Sequence, residues 1–283
     1  MMFWHVFRLL RPKQWVKNFF VFAPALFAGE LFEAHALEQA SWTFLFFCMA
    51  SSCVYVLNDL RDIEADRAHP IKRTSRPLAS GEVSVRAGIL TLVIGVAILG
   101  TGVLVIPMAM IAILGYIAVN VAYSLFARKI PVLDIFAIAF GFVLRVVAGA
   151  QAIAEPLSAW MFVTTLCLAL YLAAMKRRHE LKFLGDASRS SLSSYTVAVV
   201  ERFAEISATS ALVCYSIFVA TVKVELVYTI PLVAFGLFRY WFIAEKLKTA
   251  ESPTEAMLRD WQLVLAVAAW AVVCASVLLF AGN

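Results

Sequence analysis

Apolar runs dominate this chain, and polar residues are confined to the gaps between them. Nine runs are long enough to cross about 30 Å of hydrocarbon once tilt is allowed for. They fall near 15–33, 38–58, 86–106, 108–127, 132–153, 157–175, 200–222, 226–245 and 261–281. The runs are continuous rather than alternating, which predicts spanning α-helices and argues against a β-barrel. Ahead of the first run, FWHVFRLLRPKQW (3–15) is basic and amphipathic, with no small-residue cleavage site behind it. It predicts a helix lying on the membrane surface rather than a cleaved leader. The expected fold is an all-α integral membrane bundle of about nine transmembrane helices. It forms a single domain over 1–283, with no linker and no second soluble domain.

Lys and Arg fall in alternate connections. The N-terminal segment carries Arg8, Arg11, Lys13 and Lys17. Arg61, Arg67, Lys72, Arg73, Arg76 and Arg86 follow the second run, and Arg128 and Lys129 the fourth. Lys176, Arg177, Arg178, Lys182 and Arg189 follow the sixth, and Lys246, Lys248 and Arg259 the eighth. The connections after the first, third and fifth runs have none, and the one after the seventh has only Lys223. By the positive-inside rule the N-terminus is cytoplasmic and the C-terminus outside, in the cell inner (plasma) membrane. All the polar clusters then share the cytoplasmic end of the bundle.

Composition agrees with the pattern. The chain is 63% hydrophobic and 15% charged, far from the half-apolar, quarter-charged balance of soluble domains. The net charge of +5 sits between apolar spans and does not point to nucleic acid. The five cysteines lie inside apolar runs without a CxxC, and the four histidines are scattered. Neither set predicts a zinc site.

One stretch breaks the pattern. NDLRDIEADR (58–67) puts four acids and an Asn within nine residues at the end of an apolar run. Asn58, Asp62 and Asp66 are spaced i, i+4, i+8, so a helix would stack them within an arc of about 80°. Asp59 is one position round. Oxygen ligands in a row suit Mg²⁺, which keeps several waters and takes substrate phosphates as remaining ligands. The alternative is a solvated helix end paired to Arg61 and Arg67. HPIKRTSRPLASG (69–81) follows and adds Lys72, Arg73 and Arg76. Cations beside a metal site suit a polyphosphate, although positive-inside charge would also place them there.

These motifs carry a resemblance. NDxxDxxxD followed by KR..RPL.SG, after the second of nine spans, resembles the UbiA superfamily of intramembrane prenyltransferases, over essentially the whole chain. Members of that family bind a prenyl diphosphate through two Asp-rich motifs, the second usually a DxxxD after the sixth span. Here that loop reads KRRHELKFLGDASRSSLSSYT (176–196), with Glu180 and Asp186 six apart and no DxxxD. It opens instead with Lys176, Arg177 and Arg178. This departure is similar to the decaprenyl-phosphate phosphoribosyltransferase branch, as are RPKQWVKNFFVFAPALFAG (11–29), VLDIFAIAFGFVLRVVAG (132–149), KRRHE (176–180) and SPTEAMLRDWQL (252–263). The resemblance implies phosphoribosyl pyrophosphate as donor and a polyprenyl (decaprenyl) phosphate as acceptor. It implies polyprenylphosphoryl-5-phosphoribose as product, a precursor of arabinose donors for cell-wall polymers.

The residues suit those substrates. Three phosphate groups ask for one metal-holding acidic helix and several cations. In this reading Mg²⁺ on Asn58, Asp62 and Asp66 neutralises the leaving diphosphate. The ribose C1–O bond breaks toward an oxocarbenium-like centre, and the already ionised lipid phosphate attacks it. Catalysis is then mainly positioning and electrostatics.

Further candidates lie inside or beside the spans. Arg145 is an intramembrane cation, and so a functional candidate by default, with bundle structure as the competing role. Asp134, eleven residues earlier, is about 16 Å away along a helix and too far to pair with it. Asn120 and Tyr123 lie one turn apart and point toward Arg128 and Lys129. The family resemblance places that region at the donor pocket, whereas an interhelical hydrogen bond would also explain Asn120. Lys17 and Asn18 are placed to reach a phosphate or to anchor at the headgroups. Tyr195 follows the KRRHE loop and is a donor contact. Trp15, Trp241 and Trp261 read as interface anchors. An oligomer is compatible with the sequence. Two other functions share part of the pattern. A prenyl diphosphate transferase acting on an aromatic acceptor would carry DxxxD in place of KRRHE, and a transporter would show an inverted repeat and mid-membrane polar groups.

Overall fold

The computed structural model describes residues 2–68, 72–184, 194–246 and 259–281. Regular structure among them is helical throughout. A short helix, α1 (Met2–Leu9), leads into a 3-10 helix (Pro12–Phe22) and α2 (Ala23–Ala28). Then come α3 (Ala34–Arg61), the short α4 (Ile63–Ala68) and α5 (Lys72–Ser75), α6 (Val85–Val105) and α7 (Pro107–Leu125). The remainder is α8 (Leu133–Ala152), α9 (Ala159–Leu184), α10 (Val197–Thr221), α11 (Ile230–Lys246) and α12 (Trp261–Ala281). Local chemistry marks several boundaries. Ser84 and Thr196 cap α6 and α10 by accepting from Ala87 N and Val199 N, and Pro107 opens α7 with only Ile106 between it and the end of α6.

Eight helical stretches among the described residues are long and apolar enough to cross a membrane: α3, α6 to α10, α11 with the 3-10 turn before it, and α12. The first expected span, 15–33, is the exception. It is not one α-helix but the 3-10 helix continued by α2, which ends at Gly29 in a left-handed conformation (φ 85°). The summed rise of the two pieces is about 30 Å, so the reach of a span is kept.

The 3-10 geometry follows from what the segment packs against. Three residues per turn put Trp15, Asn18 and Val21 on one edge. Trp15 donates its indole N–H to Ser52, Asn18 reaches Cys48 and Ser51 on α3, and Val21 is fully buried. Phe20, on a second edge, packs edge-on against Phe142 of α8. Phe19, on the third, is exposed.

α3 and α8 are the inner helices, each burying 61% of its spanning window, against 22% for α6, α11 and α12. One core joins α3, α6, α7 and α8 around Phe47, Ile113 and Tyr116; another joins α8 to α12 around Tyr171, Met175 and Tyr240. The 3-10 helix sits close against α8 because residue 149 is glycine. A Cβ there would lie 2.0 Å from the carbonyl oxygen of Val21. Gly149→Ala must therefore push the 3-10 helix off α8, and is expected to cost about 1–3 kcal/mol of stability. Unfolding of the purified variant in detergent checks this; an unchanged transition would mean the contact is dispensable.

Candidate active site

The acidic stretch closes α3. Asp62 leaves the helical backbone conformation, yet the ladder continues across it: Asp62 N donates to Asn58 O (2.9 Å) and Asp66 N to Asp62 O (2.8 Å). Asn58, Asp62 and Asp66 are thus on successive turns, as the spacing predicts. Their side chains divide between two directions. Asn58 Oδ1 accepts from Ser124 Oγ (2.6 Å), and Asp62 accepts from Arg128 (3.0 Å) and Arg61 (3.2 Å). This pair leans on the end of α7. Asp66, 3% exposed, accepts from Arg76 (2.7 Å) and lies 3.4 Å from Lys72.

Asp59 completes the second direction. It is 2% exposed and takes both Arg76 and Arg11 at 2.5 Å. The same Arg76 nitrogen therefore bridges Asp59 and Asp66. Asp59 and Asp66 are seven residues apart, two turns on one face, a spacing visible in the sequence. Arg11 was not legible as a partner, since it lies 48 positions away. It sits in the left-handed region at φ 54°, with its guanidinium over the ring of Tyr55. Partial burial pushes the Asp62 carboxyl up, but the hydrogen bonds and charges of Arg128 and Arg61 together hold it below its ordinary value, and it stays ionised.

A second network joins α7, α8 and α9. Arg177, 1% exposed, touches Asp134 Oδ2 at 2.6 Å without hydrogen-bonding geometry, binds Glu180, and donates to the Tyr123 hydroxyl (2.7 Å). Asp134, wholly buried, also accepts from Tyr195 (2.7 Å). Burial, then hydrogen bonding to Asp134, keeps the Tyr195 phenol protonated by raising it to about 12. The Tyr195 oxygen accepts from the amide of Val132, a β-branched residue held at φ 69°. That conformation is costly without such support. Five residues singled out from sequence thus meet here: Tyr123, Asp134, Arg177, Glu180 and Tyr195. Asp134 pairs with Arg177, not with Arg145, in keeping with the helical distance.

Arg145 is buried deeper. It donates to Asn18 (2.7 Å), the Gly141 carbonyl (2.6 Å) and the Tyr116 hydroxyl (3.3 Å), and lies over the Tyr116 ring at 4.6 Å. Protein groups fill its shell, which is the structural role weighed from sequence. Asn120 donates to the Tyr116 carbonyl on its own helix (2.8 Å), not to a neighbouring one. Lys17 is half-buried, whereas Arg73, Lys129 and Lys176 are exposed. Trp15 and Trp241 are packing residues, the latter stacked on Tyr171, while Trp261 is exposed. Asp186 and Arg189 lie outside the described residues.

The donor set fits a hard divalent cation. Among the described residues no three His, Cys or carboxylate groups form a ready cage, but Mg²⁺ needs only one or two carboxylates when substrate phosphates supply the rest. Asp59 Oδ2 is buried and accepts no hydrogen bond, an acceptor left open beside Asp66.

The arrangement is one acidic cluster held by Arg11, Lys72, Arg76 and Arg128, and a second, buried ion-pair network in which Arg177 joins Asp134 and Glu180. The UbiA prenyltransferase family profile matches residues 19–263. The decaprenyl-phosphate phosphoribosyltransferase of Mycolicibacterium smegmatis is 40% identical over 225 residues, covering 74% of this chain and 68% of that protein. The protein of the same name from Corynebacterium glutamicum is 35% identical over 222 residues, 74% of this chain and 65% of its own. The chain thus spans about two thirds of these relatives. A solved UbiA homologue from Archaeoglobus fulgidus, bound to GPP and Mg²⁺, superposes with a TM-score of 0.76 at 19% identity, over 97% of this chain and 99% of that one. With the matched profile spanning most of the bundle, the chain belongs to the UbiA prenyltransferase family.

Proposed function

We propose that this chain transfers 5-phosphoribosyl from phosphoribosyl pyrophosphate to a polyprenyl phosphate of the decaprenyl type, releasing diphosphate and forming polyprenylphosphoryl-5-phosphoribose. The observation that carries the reading is the second network. Where a second acidic, metal-binding motif would serve a prenyl diphosphate, this chain has buried Arg177 held by Asp134, Glu180 and Tyr123. The identity to two phosphoribosyltransferases supports it.

Asn58, Asp59, Asp62 and Asp66 are the groups that would hold Mg²⁺. A divalent cation held by these groups would supply positive charge against the departing diphosphate. Lys72, Arg76 and Arg128 stand beside those acids, with Arg73 next to Lys72 in sequence, and these cations bind diphosphate oxygens. The ribose C1–O bond to diphosphate breaks, and a lipid phosphate oxygen bonds to C1. That oxygen is already ionised, so no side chain has to remove a proton. Tyr123, Glu180 and Tyr195 are held rigid by Arg177 and Asp134 and orient the donor; Asn120 and Lys129 flank the same mouth. The acids face the cytoplasm, where the soluble donor is found, and residues 1–283 work as one unit in the plasma membrane.

A transfer assay tests this. Purified protein in lipid receives Mg²⁺, polyprenyl phosphate and radiolabelled phosphoribosyl pyrophosphate, beside a parallel reaction with a prenyl diphosphate and 4-hydroxybenzoate. Label is expected in the lipid phase of the first reaction, and lost on adding EDTA. Product in the second reaction alone would overturn the donor assignment and leave the fold intact.

A further inference from the structure

Asp59 and Asp66 are joined by a single atom. Nη1 of Arg76 lies 2.5 Å from Asp59 Oδ1 and 2.7 Å from Asp66 Oδ2. The two residues are 2% and 3% exposed. A positive charge between oxygens of two buried carboxylates is also how a divalent cation sits on Asp side chains, at about 2.0–2.6 Å. Arg76 thus stands where a cation held by this pair would stand. The second oxygen of Asp59, Oδ2, is buried and accepts no hydrogen bond. The pair therefore has acceptor capacity that the guanidinium leaves unused.

Charge sets the two occupants against each other. Arg11, Arg76 and Lys72 already bring three positive charges to the two carboxylates. A divalent cation added to that set would be repelled at close range, where shielding from water strengthens the repulsion. It enters at least cost as a guanidinium leaves. Arg11 is poorly placed to leave, being fixed at φ 54° with its guanidinium over the Tyr55 ring. Arg76 is well placed. Its side chain is 22% exposed, at the mouth of the acidic cluster. Its backbone is anchored: the amide donates to Lys72 O (3.0 Å) and the carbonyl accepts from Ser80 N (2.9 Å). Leu78, two residues on, is buried in one cluster with Leu9, Val56 and Val83. The guanidinium can swing on its own side chain while the segment that carries it stays in place.

We propose that Arg76 is the resident counter-ion of Asp59 and Asp66 and exchanges with a divalent cation, which makes the site selective for a cation arriving with a diphosphate over the cation alone. A displaced guanidinium needs another anion, and a diphosphate beside the cation offers it a bidentate one. Cation and diphosphate then tighten each other's binding by the same factor. Only the identity of the anion rests on the phosphoribosyl-transfer reading; the exchange rests on the ion pairs.

The test uses the full chain in detergent, with Arg76→Met, Arg76→Lys and, as a charge control, Arg67→Met. Arg67 pairs with Glu64 on the exposed side of α4. Mn²⁺ is the probe, and its binding is read from the EPR signal of the free ion. Titrations are run alone, with phosphoribosyl pyrophosphate and with inorganic pyrophosphate, after allowance for the complexes formed in solution. Wild type is expected to bind Mn²⁺ weakly alone and about 5–150-fold more tightly with either anion. Arg76→Met is expected to bind Mn²⁺ alone about tenfold more tightly than wild type, and to gain less from either anion. Arg76→Lys keeps a charged nitrogen and stays near wild type. Arg67→Met shifts the affinity by less than about threefold, as a screened surface charge should. Arg76→Met remains folded because Asp59 keeps Arg11 and Asp66 keeps Lys72. Its melting temperature falls without metal, and Mn²⁺ raises it by more than it raises that of wild type. Unchanged or weaker Mn²⁺ binding by Arg76→Met would overturn the exchange, as would an equal gain in Arg67→Met. Anions that leave Mn²⁺ binding to wild type unchanged would overturn the selectivity. Exchange driven by inorganic pyrophosphate, with no response to phosphoribosyl pyrophosphate and no phosphoribosyl reaching the lipid, would leave the exchange standing and sink the proposed reaction.

Discussion

Asp66→Asn is expected to lower phosphoribosyl transfer by about 10²–10³-fold while the protein stays folded. Asp66 is buried beside Asp59, and the two share one nitrogen of Arg76. The substitution keeps the side-chain shape and an oxygen for Arg76, so packing is preserved. It removes the negative charge that a divalent cation needs and that keeps Lys72 and Arg76 in place. The loss should appear in turnover more than in lipid binding, and excess Mg²⁺ should recover part of it. Turnover within tenfold of wild type, with normal Mg²⁺ dependence, would show that the acids are a structural ion-pair network and that the metal lies elsewhere.

Arg177→Met should have the largest effect on stability, about 3–5 kcal/mol. Arg177 is 1% exposed and Asp134 is 0% exposed, so removing the guanidinium strands a carboxylate with no access to water. Glu180 and Tyr123 lose the same partner. Removing both charges, as Arg177→Met with Asp134→Leu, should restore much of the stability, because paired burial often costs as much desolvation as it gains in attraction. Denaturant titration in micelles reads both. If the double variant is no more stable than Arg177→Met, Asp134 is not the stranded group and the coupling lies with Glu180. Restored folding without restored turnover would place the network's value in orienting Tyr123 and Tyr195.

The span count and the position of the acidic motif at a helix end could be read directly, because both depend on local periodicity. Asn58, Asp62 and Asp66 stack as their spacing requires, since backbone geometry alone sets it. The partners could not be read in the same way. Asp59 is the most buried acid of the motif because Arg11 and Arg76 converge on it from separate segments, and no one-dimensional spacing encodes that meeting. Asp134 and Arg177 are likewise 43 positions apart by number and meet only because α8 packs on α9. The winding of the first span was not legible for a different reason. Hydropathy measures how apolar a segment is, not how tightly it is wound, and the winding here depends on Gly149 and on the polar edge of α3 facing Asn18.

That winding limits how the segment can change length. In a 3-10 helix one inserted or deleted residue rotates everything beyond it by about 120°. An insertion just after Trp15 would carry Asn18 off Arg145, turn Val21 away from Gly149, and bring an exposed-face phenylalanine or a lysine into the gap. An α-helix of the same length would already be about 120° out of register between Trp15 and Val21. The stretch between Pro12 and Gly29 can therefore vary in composition along its exposed edge, but its residue count is fixed by the two helices that grip it.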